Sequence, residues 1–251
     1  MFSGRIGLWL GVALVSIAAG GARPEEVATS HPYCPLTDGA SLTYISRSTR
    51  QPIRLVEWTV WFSHPTGKRA TATMRGRAAV FNRSVTEVNA LLVEPQGIFL
   101  APTNATEGLS RRPYLPSPEI MTPGHVWSYR GMKPLALDAV LFGLTRQAVT
   151  AQVEGHYRAV GYEGVTVPAG TFEALKVRGI ETVYFYRKEQ RISYVVRLEQ
   201  WYVRGLGKVK EIWEFPDQPQ LGQLVAELTA FQGLQPEQVI TLSSEGDRKE
   251  K

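Results

Sequence analysis

The feature that most restricts the fold of this chain is a period-two alternation of apolar and polar residues along its second half. ETVYFYRKE (181–189) and RISYVVRLEQWYVRG (191–205) are rich in β-branched and aromatic residues. A third segment, GVTVPAGTFEALKV (164–177), contains two such runs joined by a Pro-Gly turn. Alternation of this kind places successive side chains on opposite faces of a strand. Because the connecting turns are short, the sequence predicts long antiparallel strands and an all-β fold.

The first half of the chain shows the same alternation in shorter runs. The strongest is IRLVEWTVWFS (53–63), which a Pro-Gly turn connects to RATATMRGRAAVFN (69–82), so these two runs predict a hairpin. PLALDAVLFGLTR (134–146) differs, because its apolar spacing predicts one short helix. The remaining strand candidates are SLTYISR (41–47), TEVNALLVEP (86–95), QGIFLAP (96–102) and HVWSYRG (125–131).

The turn VPAGT (167–171) is a strong hairpin signal. Pro168 fixes φ at the first turn position, and Gly170 can take a positive φ, so both are predicted to be structural turn residues. Beyond the turn, the apolar phase slips by one residue between Ala174 and Leu175. The slip indicates either a β-bulge or a strand that is buried on both faces. Since a bulge bends a strand, the predicted architecture is a strongly curved sheet or an open barrel.

A single antiparallel domain is predicted over 41–235. A Pro-, Ser- and Thr-rich stretch, 102–124, reads as a linker between two halves, 41–101 and 125–235. Both halves begin with a Pro/Gly turn that feeds a strand, which leaves open whether they are related β modules or similar by chance. The flanking predictions are an extended N-terminal segment (23–40) and a flexible tail (236–251).

The first 22 residues have the pattern of a secretory signal peptide. Arg5 precedes a long uncharged apolar run, and Gly20 and Ala22 suit the −3 and −1 positions of a cleavage site. The predicted location is therefore extracytoplasmic: periplasmic, cell-surface or secreted. The run is at the lower length limit for a membrane span, so an uncleaved anchor is the alternative. Such a segment would be the chain's predicted attachment to a membrane.

Charge and cysteine content narrow the function classes. The formal net charge is +5, and both signs are mixed along the chain, which argues against a nucleic-acid surface. Cys34 is the single cysteine, so no intramolecular disulfide can form. A buried structural thiol is expected there, with an intermolecular disulfide or a reactive thiol as alternatives.

Three motifs resemble a family of exported bacterial proteins of poorly known function, the TapB-like family. The first motif, G-x-x-W-x-Y, comprises Gly124, Trp127 and Tyr129. The second, V-x-V-P-A-G-x-F, comprises Val165, Val167, Pro168, Ala169, Gly170 and Phe172. The third, W-Y-x-x-G-x-G-x-V-K, comprises Trp201, Tyr202, Gly205, Gly207, Val209 and Lys210. Arg204 departs from the pattern, which usually has proline there. The resemblance implies a curved antiparallel sheet, like the open barrels of lipoprotein carriers, and implies no known catalysis.

The sequence offers no recognisable catalytic, cofactor or metal motif. Nucleophile-elbow, P-loop, dinucleotide and zinc-binding patterns are absent, so no catalytic residue, cofactor or metal is predicted. Glu154 and His156 share one strand face and could reach a common metal, but two exposed polar residues explain them better. Glu199 and Glu211 lie on neighbouring strands, and a hydrolytic carboxylate pair is the minor alternative to two solvated side chains.

The aromatic residues are the remaining candidates. They either fill the core or line a concave surface that holds an apolar ligand. The sequence thus predicts a non-enzymatic protein of the cell envelope that binds a lipid, another apolar ligand or a polypeptide on a curved sheet. The alternative is a structural or assembly component that pairs with an envelope protein partner through edge strands. The candidate aromatics are Trp58, Trp61, Trp127, Tyr129, Tyr194, Trp201 and Trp213.

Overall fold

The computed structural model describes residues 31–50, 56–78, 83–101, 112–134, 150–187 and 189–237. The predicted signal peptide, the predicted helix beyond Pro134 and the tail from residue 238 lie outside the described residues. Among the described residues there is no helix of the length and apolarity needed to cross a bilayer.

The described chain is almost entirely antiparallel β-sheet, which confirms the predicted fold class. A single turn of 3₁₀ helix, Pro219–Leu221, precedes the last strand. The strands are β1 (Ser41–Ser48), β2 (Val56–Phe62), β3 (Arg69–Ala78), β4 (Arg83–Glu94), β5 (Gly97–Ala101), β6 (Arg112–Pro116), β7 (Val126–Pro134), β8 (Thr150–Val167), β9 (Gly170–Arg187), β10 (Gln190–Val203), β11 (Gly207–Glu214) and β12 (Gln223–Gln232).

The twelve strands form one sheet that is nearly closed into a barrel. Their order is β6-β5-β4-β3-β2-β1-β12-β11-β10-β9-β8-β7, so β1 pairs with the last strand and joins the two halves of the chain. The two edge strands, β6 and β7, lie against each other. Pro113 and Pro116 suit β6 to this edge position, because proline has no N–H to donate to a second neighbour.

Two predicted segments differ from the structure. The predicted linker 102–124 contains strand β6, which pairs with β5. Its prolines suggested a loop, but an edge strand tolerates them because one side of its backbone needs no partner. Pro134 was expected at the start of a helix and instead ends β7, where it lies opposite Thr150.

The long β8–β9 hairpin explains why the apolar alternation shifts by one residue between Ala174 and Leu175. Pro168 and Ala169 form its two-residue turn, and Gly170 has a φ of +144°. Ala174 and Leu175 are both fully buried, so β9 is buried on both faces at this point. A bulge is also present, but in the partner strand, between Ala159 and Gly161. The hairpin tip reaches β12, where the Ala169 N–H donates to the Leu228 carbonyl at 3.0 Å.

Two apolar clusters form the core. The larger one includes Tyr33, Cys34 and Leu36 of the segment that precedes β1, so this segment packs as part of the fold. His31 fastens the segment to β6, since its Nε2 lies 2.9 Å from the Pro116 carbonyl. The smaller cluster comprises Ala151, Val153, Val183, Phe185, Tyr194, Val196, Leu198 and Phe215. Residues of both clusters line the space described next.

Candidate functional site: two adjoining interior cavities

The interior of the curved sheet is not completely filled. One cavity of about 180 Å³ lies among strands of the first half, and a second of about 110 Å³ lies behind β6 and β7. Tyr114, Tyr202 and Lys208 line both cavities, so the two adjoin. Barrels larger than about eight strands commonly enclose such space, because their side chains no longer reach across the interior.

The larger interior cavity, called here the apolar cavity, has a predominantly apolar wall. Tyr44 and Trp58 stack in it with ring centroids 4.2 Å apart, and the Trp58 indole donates to Ser46 Oγ at 2.9 Å. Both rings are part of the cavity wall. The other apolar wall residues include Leu42, Val60, Phe62, Ala72, Met74, Leu91 and Leu100.

The smaller cavity, called here the polar cavity, combines aromatic rings with charged groups. Its charged lining residues are Glu181, Glu211 and Lys208. Liquid water occupies about 30 Å³ per molecule, so the volume corresponds to a few waters or one small polar group. The aromatic lining residues are Tyr114, Trp127, Tyr129, Tyr157, Tyr202 and Trp213.

Three of these rings form a continuous stack along the sheet. Tyr157 lies between Trp127, at 5.5 Å, and Tyr129, at 5.6 Å between centroids. Glycine makes this possible: a Cβ on Gly155 would lie 2.7 Å from the rings of Tyr129 and Tyr157, and a Cβ on Gly179 would overlap the Tyr157 ring. The rings therefore lie flat over glycine backbone.

Both hydroxyl groups of the tyrosine stack point at one carboxylate. Tyr129 donates to Glu181 Oε1 at 2.6 Å, and Tyr157 donates a short hydrogen bond to the same oxygen. Glu181 is only 5 % exposed. Burial, followed by the charge of Glu181, raises the pKa of Tyr157 well above its ordinary value, so the phenol stays protonated.

Glu211 occupies a second buried position on the cavity wall. Lys208 Nζ lies 2.7 Å from its Oε2, and the Gln200 amide donates to its Oε1. Burial alone would raise the pKa of Glu211, but the charge of Lys208 and these hydrogen bonds outweigh it and lower the pKa. Lys208 also touches the apolar cavity, where its carbonyl accepts the Tyr44 hydroxyl at 2.5 Å. It therefore marks the boundary between the two cavities.

A more open groove lies on the surface of β7 to β12. Its volume is about 760 Å³, and Val126 and Ile180 are exposed within it. Its charged residues are partly paired with one another: Arg178 lies 2.8 Å from Glu199, and Arg197 lies 3.6 Å from Glu214. This outer groove shares Trp127, Tyr157 and Leu198 with the lining of the polar cavity, and none of its lining residues with the apolar cavity.

The predicted aromatic residues are distributed over several environments. Trp58 lines the apolar cavity, and Trp127, Tyr129 and Trp213 line the polar cavity. Trp61 is 37 % exposed and lies under the Arg75 guanidinium. The last two line neither cavity: Tyr194 is in the smaller core cluster, and Trp201 binds Glu163 through its indole N–H at 2.7 Å.

The members of the other predicted polar pairs contact different partners. Glu199 faces Lys176 and Arg178, whereas Glu211 faces the polar cavity, because the register puts them on opposite faces of neighbouring strands. His156 instead contacts Ser128 Oγ at 2.7 Å. Glu154 pairs with Arg130 at 2.5 Å. Within the described ranges no group of three or more His, Cys, Asp or Glu side chains could hold a metal ion.

Sequence reasoning missed Glu181 and Lys208. Glu181 alternates in phase with Val183 and Phe185, which are buried. A charged residue in phase with apolar ones was the available signal for a buried carboxylate. Lys208 had no such signal, because a bulge between Trp201 and Tyr202 shifts the pairing and decides which face it joins.

Three solved structures are similar in chain trace. A protein from Bacteroides fragilis, described as exported and with a YmcC-like fold, is 12% identical, with a TM-score of 0.48 over 81% of this chain and 100% of that one. A protein from Parabacteroides distasonis described as a lipoprotein is 12% identical, with a TM-score of 0.49 over 80% and 99%. YmcC of Escherichia coli, described as a hypothetical lipoprotein, is 10% identical, with a TM-score of 0.33 over 77% and 85%.

Comparison by sequence gives no match. No protein-family model matches the chain, and no curated protein matches it significantly. The resemblance to the TapB-like family is therefore not confirmed and stays a prediction.

Proposed function

We propose that this chain is an exported, non-enzymatic binding protein that encloses a small amphipathic molecule within its curved sheet. The observation that carries the proposal is the pair of adjoining interior cavities. The apolar cavity offers a site for a hydrocarbon portion, and the polar cavity offers hydrogen-bonding and charged groups for the other end of the same molecule.

The arrangement of Lys208 and Glu211 supports this proposal. A buried ion pair costs desolvation energy that apolar packing would avoid, and empty space in a core costs further stability. A sheet selected for stability alone would have apolar side chains at the positions of Lys208 and Glu211 and would fill the cavities beside them. Charged groups beside a cavity are accounted for if they contact a ligand that occupies it.

Titration calorimetry with 1-hexanol tests the proposal. The alkyl chain of 1-hexanol suits the apolar cavity, and its hydroxyl group can reach the polar cavity. Ala72 lines the apolar cavity, so Ala72→Met should fill it and abolish binding, as should Met74→Phe. Thr73→Met is the matched control, since Thr73 pairs with the partly exposed Trp61 on the opposite face of β3 and should leave binding unchanged.

Absence of alkanol binding to the folded wild-type protein would contradict the proposal. Binding that survives both filling substitutions in folded variants would also contradict it, because the ligand would then lie elsewhere. Circular dichroism and thermal unfolding of each variant establish that it is folded before titration.

Location and assembly remain predictions. The proposed export rests on the signal pattern of residues 1–22. The assembly alternative relied on edge strands that pair with partners. The edge strands β6 and β7 lie against each other, so pairing through them would require the two strands to separate.

A further inference from the structure

We infer that the polar end of the molecule bound inside the sheet is a neutral carbonyl group, as in an acyl ester, and that Lys208 and Gln200 donate hydrogen bonds to its oxygen. The inference rests on the proposed function and extends it from an amphipathic ligand in general to an uncharged acyl compound. The hydrogen bonds around Glu211, the charge balance of the Lys208–Glu211 pair and the position of Lys208 each support it.

Hydrogen-bond donors remain on the cavity wall around Glu211. The Lys208 ammonium has three N–H groups, and within the described part of the chain their one acceptor is Glu211 Oε2. The Gln200 amide has two N–H groups, and the described acceptor for them is Glu211 Oε1. Lys208 and Gln200 both line the polar cavity, so their remaining N–H groups are available to a ligand there.

The acceptors on the same part of the wall are already in use. Glu211 accepts from Lys208 with one oxygen and from Gln200 with the other. The Gln200 side-chain oxygen accepts the Tyr202 hydroxyl at 3.1 Å. Because a shielded polar group that lacks a partner is costly, the ligand that suits this wall supplies an acceptor and brings no donor of its own. The oxygen of an ester carbonyl has two lone pairs, one for Lys208 and one for Gln200.

The charge balance disfavours an ionised head group. Lys208 and Glu211 neutralise each other across 2.7 Å. A ligand carboxylate would add a second negative charge beside Glu211 in a space of low dielectric, and a ligand ammonium would meet the positive charge of Lys208. Glu181, the other carboxylate of the lining, is already bonded to the hydroxyls of Tyr129 and Tyr157. A neutral carbonyl avoids both repulsions and still gains a hydrogen bond from a charged donor.

The orientation of the ligand follows from the position of Lys208 at the boundary between the cavities. Lys208 lines both spaces, whereas Gln200 lines the polar cavity alone. A carbonyl at this boundary directs its alkyl chain into the apolar cavity, toward Leu91 and Leu100. The other substituent of the carbonyl then lies in the polar cavity, whose volume of about 110 Å³ restricts it to a small group.

The first test compares four probes with chains of the same length: methyl hexanoate, 1-hexanol, sodium hexanoate and hexylammonium chloride. Calorimetry at pH 7 should show that the ester binds about tenfold more tightly than either ion. The ester should also bind more tightly than the alcohol, because the hydroxyl brings a donor for which this wall has no acceptor. If the alcohol binds and the ester binds no more tightly than the alcohol or either ion, the inference is overturned and the proposed function stands. Failure of all four probes to bind overturns both.

Infrared spectroscopy of methyl hexanoate labelled with carbon-13 at the carbonyl locates the contact. Hydrogen bonding lowers the stretching frequency of a carbonyl, so the bound ester should absorb at a lower frequency than the same ester in hexane. Lys208→Met combined with Glu211→Leu removes the ammonium together with its carboxylate and adds no new donor. This double variant should raise the frequency and lower affinity for the ester about tenfold. A wild-type frequency equal to that in hexane, or an unchanged frequency in the folded double variant, contradicts the inference.

Lys210→Met is the matched control. Lys210 lies two residues further along β11, pairs with Glu227 at 3.0 Å and lines neither interior cavity. Glu227 keeps its second partner, Arg47, at 2.6 Å, so this variant should fold and should leave the frequency and the affinity unchanged. Equal effects of Lys210→Met and the double variant contradict the inference. Should the double variant fail to fold, the comparison of the four probes on the wild-type protein decides the question.

Discussion

Lys208 forms an ion pair with the buried carboxylate of Glu211 inside the curved sheet, with the ammonium nitrogen 2.7 Å from the carboxylate. Replacement by Lys208→Met leaves Glu211 buried without its countercharge. We expect a loss of about 3–5 kcal/mol in the free energy of unfolding, measured by urea denaturation. Lys208→Met combined with Glu211→Gln should recover part of that loss, because the uncompensated charge is removed.

The exposed pair of Arg197 and Glu214, at 3.6 Å, provides the control for this prediction. Arg197→Ala should cost no more than about 1 kcal/mol, because solvent screens an exposed ion pair. A loss of the same size in Lys208→Met would show that the interior pair is as well hydrated as a surface pair.

The glycines beneath the tyrosine stack predict a steric effect. Gly179→Ala places a methyl group within the ring of Tyr157, which must move away from Glu181. We expect a loss of about 1–3 kcal/mol in stability, measured by thermal or urea unfolding. Gly164→Ala in the same hairpin has open space around it and should be nearly neutral. Equal effects from the two substitutions would contradict the described position of the ring.

His31 predicts a pH dependence of stability. Burial lowers its pKa below the ordinary value of 6.5, although the Pro116 carbonyl and Glu119 oppose this shift. The unfolded chain therefore binds a proton more readily than the folded one. The contribution of neutral His31 to the free energy of unfolding is therefore complete above pH 6.5. It is lost as the pH falls from 6.5 toward the pKa of His31 in the folded protein.

Urea unfolding between pH 7.5 and 5 measures this effect of His31. His31→Gln, which keeps a donor for Pro116, should reduce the loss of stability over that range. His64→Gln replaces an exposed histidine and should leave the pH profile unchanged. An unaltered profile in His31→Gln would show that other groups cause the acid sensitivity.

Cys34 should be chemically inert in the folded protein. It is buried in the larger core cluster, and burial raises its pKa to about 12. Because the thiolate is the reactive species, iodoacetamide should fail to label it at pH 8 until urea unfolds the chain. Rapid labelling of the native protein would favour the reactive-thiol alternative.

Local sequence patterns were sufficient for the strands but not for the site. Pro168 and Gly170 predict their hairpin because turn geometry depends on nearby residues alone. The prolines of β6 misled the linker prediction, since the sequence does not show that this strand lies at an edge. Lys208 joins Glu211 through a bulge, and Tyr129 meets Glu181 through strand register. Both depend on pairing between distant parts of the chain, which no local pattern encodes.

The central claim is that the ligand lies inside the sheet and not in the outer groove. Nuclear Overhauser effects between 1-hexanol and methyl-labelled protein test it directly. The account predicts contacts from the alkyl chain to the methyl groups of Leu91 and Leu100, which line the apolar cavity. Contacts confined to Ile180 and Ile212, which line the outer groove, would contradict it.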